Sequence, residues 1–236
     1  MKQEKQYRQD IINAGMRMNE LGINQGTSGN ISLRWKDGIL VTPTGVPYEE
    51  LKPEDICWQH LDGNVKGKLE ISSEWRFHIE IQRHRPDVNA VVHTHSNHAT
   101  ALAIQEMEIP AIHYMVAAGG GPNIRCAPYA TFGTEELSQH ALKALENCKC
   151  CLLAHHGVIA TGSSISNDLW LAGEVETLAI QYLLILSTGK EAKLLSGDEI
   201  ERVRIKMSDY GLKNQRSEKP KLSKPKSKTI AINTFQ

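Results

Sequence analysis

Apolar residues recur along this chain at two spacings, and the spacings divide it into elements. Tyr7, Ile11, Ala14, Met18 and Leu21 fall three or four residues apart, the repeat that lines one face of a helix, and Gly22 follows as a stop. An amphipathic helix is therefore expected from about Gln3 to Leu21. Short β-rich pieces come next, Asn30 to Arg34 and Ile39 to Thr42, with Asp37-Gly38 between them as a hairpin turn. Ser72-Ser73 opens a helix that Pro86 closes. Thr134 caps another, with Glu135 and Glu136 in its first turn at the positive end of the helix dipole. A long helix from about Ser166 to Gly189 turns Leu171, Leu178, Tyr182 and Ile185 to a core, and a last helix runs roughly from Asp198 to Tyr210.

Two further apolar runs end in histidine pairs. Ala90-Val91-Val92 leads into His93-Thr94-His95, and Leu152-Leu153-Ala154 leads into His155-His156-Gly157. Each run reads as a buried strand, and the first passes into a helix near Asn97 to Gln105. Strands and helices mix without a steady βαβ alternation. The expected fold is thus an α/β sandwich around a mostly antiparallel sheet, not a doubly wound parallel one.

Composition narrows the class. At 236 residues and 40% hydrophobic, the chain can build one sizeable core without disulfides. Met1 to Asp10 is polar and charged, with no signal-like stretch, and apolar runs such as Tyr182 to Leu186 fall well short of a membrane span. No membrane is expected as a partner. The five cysteines lack paired zinc-site spacing; Cys148, Cys150 and Cys151 read as small apolar residues in a reducing cytoplasm. The formal net charge is zero, yet 216–228 carries six basic residues and one acidic, leaving a mildly acidic body. That argues against nucleic acid as the main partner. The domain is expected over 1–214. The Lys-, Pro- and Ser-rich 215–236 reads as a disordered tail, although Thr229 to Asn233 could add a strand to some edge.

The histidines carry the chemistry. Residues i and i+2 on a strand share a face, so His93 and His95 aim two imidazoles at one point, and a third from the second pair completes a facial set. Three nitrogens with an open position suit a catalytic zinc, whereas a structural zinc takes four ligands. On a strand His155 and His156 would point to opposite faces, so only one should bind. His98 falls in the following helix and ranks lower as a ligand. Three polar loops could hold an anion on backbone N–H groups or hydroxyls: Gly26-Thr27-Ser28-Gly29-Asn30, Thr42-Pro43-Thr44-Gly45, and Ser72-Ser73 at a helix start. Glu74, in the first turn of that helix, would then lie close enough to a phosphorylated substrate to move protons.

Taken in order, several stretches resemble the class II aldolase/adducin family over about residues 5 to 212. They are Leu21 to Asn30, Thr42-Pro43-Thr44-Gly45-Val46-Pro47-Tyr48, Ser72-Ser73-Glu74-Trp75-Arg76-Phe77-His78, Ala90 to His95, Ile109-Pro110-Ala111-Ile112-His113-Tyr114, Cys126 to Thr134, and His155-His156-Gly157. The resemblance implies a three-layer α/β/α fold in a homotetramer with active sites between subunits. It implies zinc (with manganese or cobalt also accepted) on His93, His95 and His156, and substrate phosphate on Thr27, Gly29, Asn30, Thr44, Gly45, Ser72 and Ser73. Glu74 becomes the acid/base, Tyr114 and Tyr210 assist at the aldehyde oxygen, and Phe132 lines the aldehyde pocket. The implied reaction is reversible cleavage of a deoxyketose 1-phosphate, L-fuculose 1-phosphate or a 5-deoxypentulose 1-phosphate such as 5-deoxyribulose 1-phosphate. Its products are dihydroxyacetone phosphate and lactaldehyde or acetaldehyde. The family also holds a methylthioribulose-1-phosphate dehydratase, ribulose-phosphate 4-epimerases, which carry aspartate where Glu74 stands, and non-catalytic adducin-type heads, which lack the full histidine set.

Overall fold

Eight strands form one sheet: β1 (Asn30–Trp35), β2 (Gly38–Val41), β3 (Cys57–His60), β4 (Val65–Lys66), β5 (Ala90–Thr94), β6 (Cys126–Ala127), β7 (Cys150–Leu153) and β8 (Gly157–Gly162). Their order is β4-β3-β2-β1-β5-β8-β7-β6, and every adjacent pair is antiparallel except β6–β7. The computed structural model describes residues 2–208; Tyr210, the 215–236 tail and its 229–233 segment lie outside the described residues.

Helices cover both faces because the central strands are apolar on both. In β5, Ala90 and Val92 join one core cluster and Val91 the other; in β8, Val158 and Ala160 face one way and Ile159 the opposite way. The first cluster takes α1 (Lys2–Glu20), α3 (Asn97–Ile104) and α5 (Ile165–Ser187) through Ile11, Met18, Leu102, Leu171 and Val175. The second takes α2 (Trp75–His84) and α4 (Glu135–Ala144) through Phe77, Ile81, Leu137 and Ala141. Each such large apolar side chain contributes roughly 1.5–3 kcal/mol on burial. Cys150 and Cys151 fill opposite faces of β7, all five cysteines are free, and burial pushes the Cys150 thiol up to about 12. They act as the small apolar residues expected of them.

The long α5 is apolar enough by length and composition to span a membrane, but it is a core helix. It lies against β5, β8 and α3 and buries two carboxylates, Asp168 and Glu176. Glu176 accepts the backbone N–H groups of His98 and Ala99 at 3.0 and 2.9 Å. It thereby caps α3 from a neighbouring helix where Ser96, at the N-cap position, makes no side-chain cap bond.

Two local expectations shift and one holds. The β1–β2 turn is Lys36-Asp37, with Trp35 opposite Gly38, and Lys36 takes the positive φ of 55°. Gly38 instead opens β2, where a Cβ would sit 2.2 Å from the Gln59 carbonyl oxygen; glycine is there for strand packing. Thr134 caps α4 as expected, its hydroxyl accepting from Leu137 N at 3.2 Å. The run ending at His155-His156 is not one strand. β7 stops at Leu153, residues 154–156 turn, and β8 starts at Gly157, paired with Leu153.

Candidate metal centre and active site

That turn makes the site. His93 comes from β5, His95 lies one residue past its end, and His156 closes the β7–β8 turn, all at the middle of the sheet. The three rings stand 4.8, 4.8 and 4.9 Å apart between centroids and nearly perpendicular to one another. Val158 O on β8 accepts from His93 Nδ1 at 2.8 Å, which fixes the tautomer and leaves Nε2 bare toward the other rings. His155 adopts φ 53° and turns outward, half exposed, 3.5 Å from Glu106 and edge-on to Tyr129. One histidine of the pair does face the site, but the turn selects it, not strand alternation. Gly157 is part of this selection: a Cβ there would meet Thr94 O at 2.4 Å and His95 Cδ2 at 3.1 Å. His98 is directed elsewhere, its Nδ1 2.7 Å from Glu176.

Glu74 completes the cluster. It occupies the N-cap position of α2, just ahead of the first turn in which the sequence put it, and is 5% exposed. Its Oε2 lies 3.2 Å from His93 Nε2 and its Oε1 2.9 Å from His156 Nε2. Donor atoms of Glu74, His93, His95 and His156 all fall within 4.8 Å of one another. Oε1 is buried yet makes no well-aligned hydrogen bond, and His93 Nε2 and His95 Nε2 face each other at 2.9 Å. Lone pairs crowded so closely, away from water, fit a divalent cation between them. Burial, then the neighbouring His93, holds the His95 imidazole down at about 3, so its nitrogen is free to ligate at neutral pH. Burial alone would raise the Glu74 carboxyl, but His93 and His156 outweigh it and keep it well below the usual carboxylate range.

The polar loops gather around Glu74. Ser72 N donates to Thr42 O at 3.1 Å and Thr44 N to Glu70 O at 3.0 Å, joining the 42–45 turn to the start of α2. Asn30 Nδ2 donates to Glu74 Oε2 at 2.9 Å, bringing in the first loop. Gly29 sits where a Cβ would lie 2.7 Å from His93 O, so this loop rests directly on β5. Thr27, Gly45 and Ser73 are open to solvent, Thr44 half-buried, and Ser72 buried. Gly45 needs its residue type for a φ of 67°. Phe132 is 63% exposed on a loop held over α2, where Arg76 Nε donates to Gly133 O at 3.2 Å. Tyr114 is half exposed, its ring tilted against that of His113.

Sequence reasoning gave no role to the groups behind Asn30. His78, fully buried, places Nε2 2.5 Å from Asn30 Oδ1 and Nδ1 2.8 Å from Ser32 Oγ. The visible signal was a histidine one helical turn beyond Glu74, with Gln82 one turn further along the same face.

Residues 9–183 match the family described as Class II Aldolase and Adducin N-terminal domain. The chain belongs to the class II aldolase/adducin family. It is 52% identical over 216 residues to the L-fuculose phosphate aldolase of Escherichia coli K12, covering 90% of this chain and 99% of that one. It is 50% identical over 204 residues to a 5-methylthioribulose-1-phosphate/5-deoxyribulose-1-phosphate aldolase of Rhodospirillum rubrum, covering 86% and 92%. A solved L-fuculose 1-phosphate aldolase superposes with a TM-score of 0.82 at 36% identity, over 85% of this chain and 95% of that one. With the full histidine and glutamate cluster present, this member of the family is a class II, metal-dependent aldehyde-lyase.

Proposed function

We propose that the enzyme reversibly splits a deoxyketose 1-phosphate, L-fuculose 1-phosphate or 5-deoxyribulose 1-phosphate, into dihydroxyacetone phosphate and a short aldehyde. The observation that carries this is the buried cluster of His93, His95, His156 and Glu74 beside three joined polar loops. A divalent cation held by the three imidazoles supplies a Lewis acid for the negative charge that develops as the carbon–carbon bond parts. Zinc is our assignment, and manganese and cobalt suit the same ligands. Glu74 gives a proton to the three-carbon fragment in cleavage and removes it in synthesis. Thr27, Gly29, Asn30, Thr44, Gly45, Ser72 and Ser73 hold the phosphate and so fix the reacting carbons against the cluster. Tyr114 and Tyr210 serve the aldehyde oxygen, and Phe132 bounds the pocket for the rest of that product. Exposure of Tyr114 and Phe132 on a single chain fits active sites shared between neighbouring subunits of a cytoplasmic homotetramer. The aldolase domain spans 1–214, and 215–236 is a tail outside it.

The test is a steady-state comparison of L-fuculose 1-phosphate and 5-deoxyribulose 1-phosphate, reading release of dihydroxyacetone phosphate. Turnover of one or both is expected, with overlap, because one hydroxymethyl-sized difference is worth only about 1–3 kcal/mol in a pocket. Failure to release dihydroxyacetone phosphate from either by the metal-loaded enzyme would overturn the proposal.

A further inference from the structure

Behind the catalytic carboxylate runs a line of buried polar side chains with one consistent direction. An ionised Glu74 offers only acceptors, so the Asn30 group 2.9 Å from Oε2 is its NH2. Asn30 Oδ1 then faces His78, and at 2.5 Å the His78 Nε2 must donate to it. Fully buried, His78 stays a neutral imidazole, which leaves Nδ1 bare to accept from the Ser32 hydroxyl at 2.8 Å. Ser32 Oγ in turn accepts from Gln82 Nε2 at 3.1 Å. The Asn30 and His78 Nε2 links follow from the charge on Glu74, and the Ser32 and Gln82 links from the neutral imidazole; reversing one alone would set two acceptors or two donors against each other.

We infer that His78 is a positioning residue: its Nε2–H locks the Asn30 amide so that the NH2 holds Glu74 in place for proton transfer. A flipped Asn30 would turn its carbonyl oxygen on the carboxylate and repel it. His78 and Glu74 lie on the same helix start, one turn apart, while Asn30 and Ser32 alternate along β1, so helix and strand meet at this line. The inference rests on the aldolase reading for its effect on turnover, but the hydrogen-bonded line itself can be tested without any substrate.

Two substitutions separate the two ring nitrogens. A glutamine amide reaches about as far as Nε2, an asparagine amide about as far as Nδ1. His78→Gln keeps a donor toward Asn30 and is expected to retain turnover within about fivefold. His78→Asn keeps only the Ser32 side and is expected to lose roughly 10- to 100-fold in kcat, with KM within about threefold and metal content unchanged. In a Glu74→Gln background His78→Asn should cost nothing further, since it acts through Glu74. Nitrogen NMR of the imidazole, with or without metal, should show Nε2 protonated and Nδ1 bare. Equal losses in both substitutions, the same loss in the Glu74→Gln background, or the opposite tautomer would overturn the inference. If His78→Asn does not fold, the tautomer and the turnover of His78→Gln decide it. If the parent enzyme cleaves neither sugar phosphate while the tautomer is as expected, the reaction assignment fails and the hydrogen-bonded line stands.

Discussion

The floor of the site and its rim are built on different principles. The floor, His93, His95 and His156, stands on the central strands and their turn, with ring orientation fixed by Val158 O and by the space that Gly157 leaves. The rim, Thr27, Thr44, Gly45 and Ser73, is loop, mostly open to solvent, and joined through backbone hydrogen bonds. A cation needs donor atoms held within tenths of an ångström, which packed strands provide. The phosphate proposed for the rim is large, and several neutral donors would share it, so loops suffice. Glu74 and Asn30 lie at the seam and tie the two together.

The contrast is sharpest when the floor is broken. His95→Ala should remove stoichiometric metal and lower turnover by about 10³-fold or more, measured by elemental analysis beside the cleavage assay. At the seam, Glu74→Gln should leave the fold and the metal, and reduce kcat by roughly 10²- to 10⁴-fold. Wild-type cleavage by that variant would remove Glu74 from the mechanism. On the rim, Thr44→Ala and Ser73→Ala should each act mainly on KM, raising it by about tenfold, the scale of one hydrogen bond to a charged group, with metal content intact. An effect confined to kcat would place these residues in the chemistry instead.

The smallest effect lies away from both floor and rim, at the far end of β8. Burial raises the Asp168 carboxyl to about 8 from 3.8, beside Gly162 at the end of β8. The folded state keeps a proton that the unfolded chain releases, so this contribution is fully present below 3.8 and is lost as pH rises to about 8. Asp168→Asn should remove that loss. Thermal melts of the metal-free variant should exceed those of the parent by a few degrees at about pH 9, the gap closing toward acid pH. A gap that does not vary with pH would show that Asp168 does not titrate in this range.

Much of the site was legible because its parts are local. A period of two carried His93 and His95 to one face, and the serines before α2 marked Glu74 at its start. The second histidine pair misled in form: the apolar run into it resembled a strand continuing through it, although Gly157 and the β-branched Val158-Ile159 after it signalled a turn and a new strand. Gly38 misled in the same way, its packing against Gln59 being a contact across strands that no local spacing reveals.

Local patterning was thus enough for the helices, the apolar central strands and the residue types available for metal and proton chemistry, because these depend on near neighbours in the chain. The family resemblance already pointed to His156 over His155, but packing alone reveals the turn that aims it at the cluster, the capping of α3 by Glu176 from α5, and His78 behind Glu74 through Asn30. Each of these joins residues far apart in sequence, and such contacts exist only once the strands are paired and the helices packed on them.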